Sequence, residues 1–418
     1  MLDLKELRDD PHTAECRLRT KDPEISLSHI LKLDERVRHL IQSVEVLKAK
    51  RNDLSKKVGE LKRDKKDATE ILASVGSLGD EITALDHELN TLTPQLSEAL
   101  LSLPNLPMEG IKSSLNPADN VCIKTVGQQR EFAFTPKNHV ELNQTLNYFD
   151  FERGAKVSGA GWPVYKGDGA RLEWALINYM IDIHRKNGFT QIIPPHLVRP
   201  EIMQGSGQLP KFETQLFKLT DEDYHLYLIP TAEVPLCGLH HDEIIDESAL
   251  PIKYVSYSPC FRREGGAAGA KERGLIRMHQ FNKVEMFAFT RPEDSEAMFE
   301  AMMNSAEEVL QGLGLHYRNM LLVTGDMSFA AAKTVDIEVY LPGQNRYYEV
   351  SSVSNCTDFQ SRRSQIRYRA PGGKAQLVHT LNGSGLATSR LMVALLENNQ
   401  NEDGSITLPS VLNKYLSS

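Results

Sequence analysis

Apolar residues return at alternating intervals of four and three through the first quarter of the chain. Leu33, Val37, Leu40, Val44, Leu47, Leu54, Val58 and Leu61 form one row, broken at a single seam position by Arg51. A second row runs Ile71, Val75, Leu78, Ile82, Leu85, Leu89, Leu92 and Leu96. These are the a and d positions of heptads. Two such rows of similar length, joined by the polar stretch 62–67, predict an antiparallel helical coiled coil. Each arm of roughly 35 residues would reach about 50 Å. Pro94 falls inside the second row and is expected to kink or shorten that helix near its end. Leu103-Pro104-Asn105-Leu106-Pro107 reads as a stiff linker. The organisation expected is therefore an N-terminal domain at 1–110, with its arm at 27–101, followed by a larger domain at 111–418. An arm so narrow has no room for an enclosed active site, so its role is structural or in recognition.

Beyond residue 115 the texture changes to alternating strands and helices. Arg171–Lys186 reads as an amphipathic helix with Leu172, Leu176, Ile177, Met180 and Ile181 on one face. Phe189–Ile193 reads as a short strand closed by Pro194-Pro195. Tyr224–Ile229, Ile252–Phe261, Ile276–Thr290, Val335–Leu341 and Tyr347–Ser352 carry strand-like alternation. Pro342-Gly343-Gln344-Asn345 is of hairpin length and implies antiparallel pairing. A final helix is expected from Gly385 to Asn398. The pattern predicts an α+β fold: an antiparallel sheet flanked by helices, with the coiled-coil arm before it.

Composition narrows the class only a little. In 418 residues, 40% are hydrophobic and 25% charged, ordinary values for a globular protein. No apolar run is long enough to span a bilayer, and the N-terminus has no secretory pattern, so a cytoplasmic protein is expected. Cys16, Cys122, Cys237, Cys260 and Cys356 are scattered and lack CxxC spacing, which disfavours disulfides and a zinc site. The net charge of −8 argues against wholesale nucleic-acid binding. Between Lys32 and Lys66, however, Arg36, Arg38, Lys48, Lys50, Arg51, Lys56, Lys57, Lys62, Arg63 and Lys65 give a local basic excess. That excess is either a polyanion footprint or the solvated face of a helical hairpin.

The richest stretch is CFRREGGAAGAKERGLIRMHQFNKVE, from Cys260 to Glu285. A hairpin here would carry Arg262 and Glu264 on one strand and Arg277, Phe281 and Glu285 on the other. A guanidinium can grip phosphate or carboxylate in bidentate fashion, and an aromatic ring offers a face to a purine. Glu349, with Ser351 and Ser352 close behind it, offers hard oxygens for Mg²⁺. Arg390 follows Gly383-Ser384-Gly385 and could reach a terminal phosphate. Taken singly, Phe281 is equally a core ring, Glu349 a solvated strand acid and Arg390 a surface charge. No Walker-type loop and no strand-GxGxxG-helix pattern is present, which disfavours those nucleotide folds.

Three segments carry a resemblance. Phe189–Pro195, Phe261-Arg262-Arg263-Glu264 and Asn382–Arg390 resemble motifs 1, 2 and 3 of class II aminoacyl-tRNA synthetases. Thr231-Ala232-Glu233, Glu285, the run Glu349–Cys356 and the coiled-coil arm narrow the resemblance to the bacterial seryl-tRNA synthetase family, from end to end. It departs from the family's usual pattern at Arg263, at Gly265-Gly266 and at Ser389, which leaves open the path of the Gly265–Glu272 loop, read as a mobile lid.

The resemblance implies ATP-dependent activation of L-serine to seryl-adenylate, then transfer to the 3′ end of tRNA(Ser) and, where it exists, tRNA(Sec). Arg262, Glu264 and Arg390 would be catalytic. Arg262 would contact the α-phosphate and the amino acid carboxylate, Glu264 the adenine amino edge, and Phe281 and Arg390 would sandwich the ring. Arg263, Met278, Val350 and Ser351 would complete the ATP site, with Glu349 and Ser352 holding Mg²⁺. Serine would meet Thr231, Ala232, Glu233, Arg262, Glu285, Thr380, Asn382 and Ser384. No zinc is implied. A homodimer is implied, each arm serving tRNA on the partner subunit. Two rivals stand beside it: a carrier-protein amino acid ligase with the same catalytic fold, whose relatives lack a long basic arm, and a coiled-coil RNA-binding or scaffold protein with a decayed catalytic domain, against which intact Arg262, Glu264, Glu349 and Arg390 argue.

Overall fold

The computed structural model describes residues 1–264 and 274–417, in two compact units. The smaller comprises Leu2–Arg19 and Pro23–Leu103, and the larger Met1, Thr20–Asp22 and the chain from Pro104 onward.

In the smaller unit, Ser28–Arg63 (α1) and Thr69–Leu101 (α2) are two long helices. Both apolar rows are buried or half-buried along their whole length, as heptad seams require. Arg36 pairs with Glu88 through two 2.7 Å contacts, and Lys48 with Asp86 at 3.2 Å, so charges flank the seam on facing helices. The expectation for Pro94 needs correcting at one point: α2 is not shortened and continues through it to Leu101. Pro94 is exposed, where water can serve the carbonyl that loses its N–H partner.

The larger unit is built on an eight-stranded sheet. Its strands are Val121–Val126 (β1), Thr190–Gln191 (β2), Ile252–Phe261 (β3), Gln280–Thr290 (β4), Tyr317–Leu321 (β5), Lys333–Leu341 (β6), Arg346–Asn355 (β7) and His379–Ala387 (β8). They lie in the order β1-β5-β6-β7-β8-β4-β3-β2, antiparallel throughout except for the short β2 beside β3. Asp168–Lys186 (α3), Ser295–Gly312 (α4) and Thr388–Asn398 (α5) bury their apolar residues in one cluster with Val284, Met286 and Ala288 of β4. Leu172, Leu176, Ile177, Met180 and Ile181 all enter that core. The alternate residues of β4, Phe281, Lys283 and Glu285, belong to the opposite face.

Several expected boundaries move. Tyr224–Ile229 contracts to a strand at Tyr227–Leu228, because residues 221–225 are exposed and lack a partner strand. Phe189–Ile193 contracts to Thr190–Gln191. The return strand starts at Gln280 instead of Ile276, since the His279 N–H donates to Gly161 O at 3.0 Å rather than across the hairpin. The last helix starts at Thr388, not Gly385: Thr380, Asn382 and Ser384 alternate with core-facing residues and pair with β4.

Candidate active site

Thr231, Ala232 and Glu233 lie where the chain turns into the short helix Glu233–Gly238. The Thr231 hydroxyl donates to Glu285 Oε2 at 3.2 Å and accepts from Glu233 N–H at 3.2 Å and from Lys283 Nζ at 2.8 Å. Lys283 also forms a buried ion pair with Glu285. Glu233 Oε1 accepts from Gln360 Nε2 at 2.6 Å and from Asn382 Nδ2 at 3.0 Å. Thr380 donates to Gln360 Oε1 at 2.7 Å and so orients that amide. Burial, and then the charge of Glu285, push the Glu233 carboxyl up to about 7. The result is a buried cluster of hydrogen-bonding oxygens with one ammonium already in it.

A second set of side chains adjoins this cluster. Arg262, Glu264, Met278, Phe281, Glu349 and Arg390 line one pocket with Lys283 and Ser384. Glu264 sits in left-handed backbone at φ 45° and accepts from Arg277 Nε at 2.7 Å. Arg390 pairs with Glu349 Oε1 at 3.1 Å and lies over the Tyr348 ring. Arg262 touches both sets. Its Nε donates to Pro230 O at 3.3 Å, beside Thr231, while its guanidinium lies 5.1 Å from the centre of the Phe281 ring.

The sheet register brings these groups together. Ser384 of β8 and Ser256 of β3 stand on either side of Glu285. Pairing of β6 with β7 shifts between Ile337 and Glu338, and this bulge lets Val350 and Val353 both enter the core although they are three apart. Glu349 and Ser352 are spaced the same way and share the other face. The Ser351 hydroxyl donates to Ser384 O at 2.6 Å and ties β7 to β8.

Not every expected residue reaches the pocket. The Arg263 side chain is exposed, and that residue meets its neighbours through the backbone, N–H to Gln215 O at 3.0 Å. Val350 and Ala232 place their side chains in hydrophobic clusters. The Gly265–Glu272 loop lies outside the described residues. Conversely, Lys283 and Gln360 were missed from the sequence. Lys283 was detectable, because it falls between Phe281 and Glu285 in the same period-two row. His184 gave no such signal: buried, and driven down to about 4 by that burial, its neutral Nε2 donates to Gly385 O at 3.0 Å beside Ser384. A Cβ on residue 385 would lie 2.4 Å from that nitrogen, so only glycine fits.

For a divalent cation the residues fit in kind. Near Glu349 and Ser352, Asp336 of β6 is half-buried, and its buried Oδ1 has no hydrogen-bond partner among the described residues. Burial, and then the Glu349 charge, hold its carboxyl well above the carboxylate range. These are hard oxygens suited to Mg²⁺, which takes one or two carboxylates and fills its other positions with phosphate and water. No group of three or more His, Cys, Asp and Glu able to hold a metal occurs among the described residues.

Two family models match the chain. Residues 1–107 match the seryl-tRNA synthetase N-terminal domain, and residues 214–399 the tRNA synthetase class II core domain (G, H, P, S and T). The serine–tRNA ligase of Chlamydia felis is 52% identical over 416 residues, covering 100% of this chain and 98% of the relative.

The chain belongs to the seryl-tRNA synthetase family.

The Chlamydia trachomatis serovar L2 member of the family is 48% identical, with 100% of this chain and 97% of the relative covered. The Pyrococcus horikoshii seryl-tRNA synthetase, solved in complex with ATP, superposes with a TM-score of 0.94 at 38% identity, covering 100% of this chain and 98% of that one. The cytoplasmic serine–tRNA ligase of Naegleria fowleri, solved with AMP, gives 0.89 at 30% identity, with the same coverage of each chain. No described helix is long and apolar enough to cross a membrane.

Proposed function

We propose that this chain is a serine–tRNA ligase that works in two steps. In the first, a serine carboxylate oxygen attacks the α-phosphorus of ATP. The new P–O bond gives seryl-adenylate as the bond to the bridging oxygen breaks and pyrophosphate leaves. In the second, a hydroxyl of the terminal ribose of tRNA(Ser) attacks the seryl carbonyl and AMP departs. No covalent enzyme bond is needed, so catalysis is positioning and electrostatics.

The observation that carries this reading is Arg262, which contacts both halves of the pocket. It can fork across the serine carboxylate and the α-phosphate, neutralising charge where the two meet. Glu264 takes the adenine amino edge, and Phe281 and Arg390 enclose the ring, with Met278 beside it and the backbone of Arg263, Val350 and Ser351 framing the nucleotide. Thr231 and Glu233 receive the serine ammonium, with Ala232 shaping the turn. Glu285 and Ser384, supported by Thr380 and Asn382, read the hydroxyl. Alanine would leave these acceptors unpaired, which is costly, whereas threonine must be kept out by shape. Mg²⁺ bound at Glu349 and Ser352 would neutralise phosphate charge.

The larger assembly follows from the same reading. The N-terminal unit, 1–110, would bind the long variable arm of tRNA(Ser) by shape and backbone through the basic face of α1. tRNA(Sec) would be a second substrate where it exists. A cytoplasmic homodimer fits the half-exposed Trp174 on α3 and the exposed Ile193, since the apolar face of α3 is already used in the chain's own core.

The test is Arg262→Ala. It should lower serine-dependent ATP–pyrophosphate exchange by about a hundredfold or more with circular dichroism unchanged. Exchange near wild type would contradict the assignment.

A further inference from the structure

One buried pair outside the pocket connects the elements that carry its ATP-facing residues. His139 opens the helix His139–Leu146, and both it and Glu397 of α5 are buried. His139 Nε2 accepts from the Leu275 backbone N–H at 3.2 Å. That nitrogen must therefore carry the lone pair, which leaves the ring proton on Nδ1, 3.1 Å from Glu397 Oε1. Glu397 accepts in addition from the His139 N–H at 3.1 Å, Gln344 Nε2 at 2.8 Å and the Gly343 N–H at 3.1 Å.

Each contact leads to the pocket. Leu275 precedes Arg277 by two residues and Met278 by three. Gly343 and Gln344 form the turn between β6 and β7, and β7 carries Glu349. Glu397 lies seven residues from Arg390, two turns along the same face of α5. The fit around the imidazole is close: Gly274 has φ +77°, and a Cβ there would stand 2.1 Å from His139 Nε2.

We propose that His139 is a positioning residue for ATP, its neutral Nδ1–H imidazole pinning at Leu275 the turn that leads into β4 while Glu397 fixes the ring to the elements bearing Glu349 and Arg390. This rests on the ATP reading of the pocket. The substrate is not touched, so the predicted signature is a selective change in ATP affinity. His139→Gln keeps an acceptor that can reach Leu275, whereas His139→Asn keeps only a donor short enough for Glu397. In serine-dependent exchange, His139→Asn should raise the KM for ATP about tenfold, the scale of one hydrogen bond, and leave the KM for serine within about twofold. His139→Gln should recover most of the loss. In the wild-type protein, ¹⁵N chemical shifts should show an unprotonated Nε2, and the Leu275 amide should exchange slowly with solvent. Unchanged ATP KM in both variants would overturn the proposal and leave His139 a packing residue. If the variants do not fold, a protonated Nε2 or a fast-exchanging Leu275 amide in the wild-type protein overturns it instead. Wild-type protein with no serine-dependent exchange would remove the ATP reading of the pocket, whereas the two spectroscopic readouts test the His139 geometry separately.

Discussion

Glu233 is the residue whose chemistry is most exposed to test. In the free protein its carboxyl holds a proton up to about 7, because burial and the Glu285 charge both oppose ionisation. A serine ammonium held there, as proposed, would favour the ionised form, so binding below that value would expel the proton. The KM for serine in pyrophosphate exchange should therefore fall as pH rises from 6 toward 7 and level off above about 7.5, with a limiting slope of tenfold per unit. A KM flat from pH 6 to 8 would mean that Glu233 is ionised before serine arrives. Lys283 makes the complementary case. Lys283→Met leaves Glu285 buried without its cation, and breaking such a pair costs about 3–5 kcal/mol. A melting temperature within a degree of wild type would show that the pair is not a working one. Glu173 gives a third case. Buried, and pushed up to about 7 chiefly by that burial, it favours the folded state while protonated. Its folded value is raised above the unfolded one, so stability is lost as pH rises between the ordinary Glu range and about 7. Glu173→Gln should thus stabilise at pH 8 and change little at pH 5, as read by thermal melts at the two values.

At the scale of elements, the arm and the sheet obey different rules. The arm depends on its seam: Leu40 is fully buried between helices whose other faces are polar. Leu40→Ala should cost about 2–5 kcal/mol in the N-terminal unit and leave pyrophosphate exchange unchanged. Equal losses of helix stability and exchange would mean the two units are not energetically separate. The arm was also the most legible element, because sixteen stripe residues at 3.5-residue spacing admit one packing. The long strands were legible from their period of two, and Arg262, Phe281, Glu285 and Glu349 with them. What escaped was set by contacts distant in sequence. The bulge that aligns Glu349 with Ser352 depends on the β6–β7 register. The strand character of Thr380–Ala387 was hidden by its glycines, which read as a helix entry until β4 and β7 are paired with it. Gln360 and His184 matter only because Glu233 and Gly385 reach them across the fold.

For the whole molecule, the division of labour follows from where the charges lie. Ion pairs use part of the basic excess of α1, such as Arg36 with Glu88. The remainder is what the proposed contact with tRNA would use. Affinity for tRNA(Ser) should fall steeply and log-linearly as salt rises, whereas the KM for serine should not. Removal of residues 32–101 should spare exchange and abolish charging of tRNA. Both depend on the proposal that one pocket joins serine to ATP. The measurement that tests it most directly is ATP–pyrophosphate exchange with serine, threonine, alanine and cysteine compared side by side. Exchange with serine should exceed that with alanine by orders of magnitude, with threonine and cysteine far behind serine. Equal exchange with all four, or none with serine, would contradict the account.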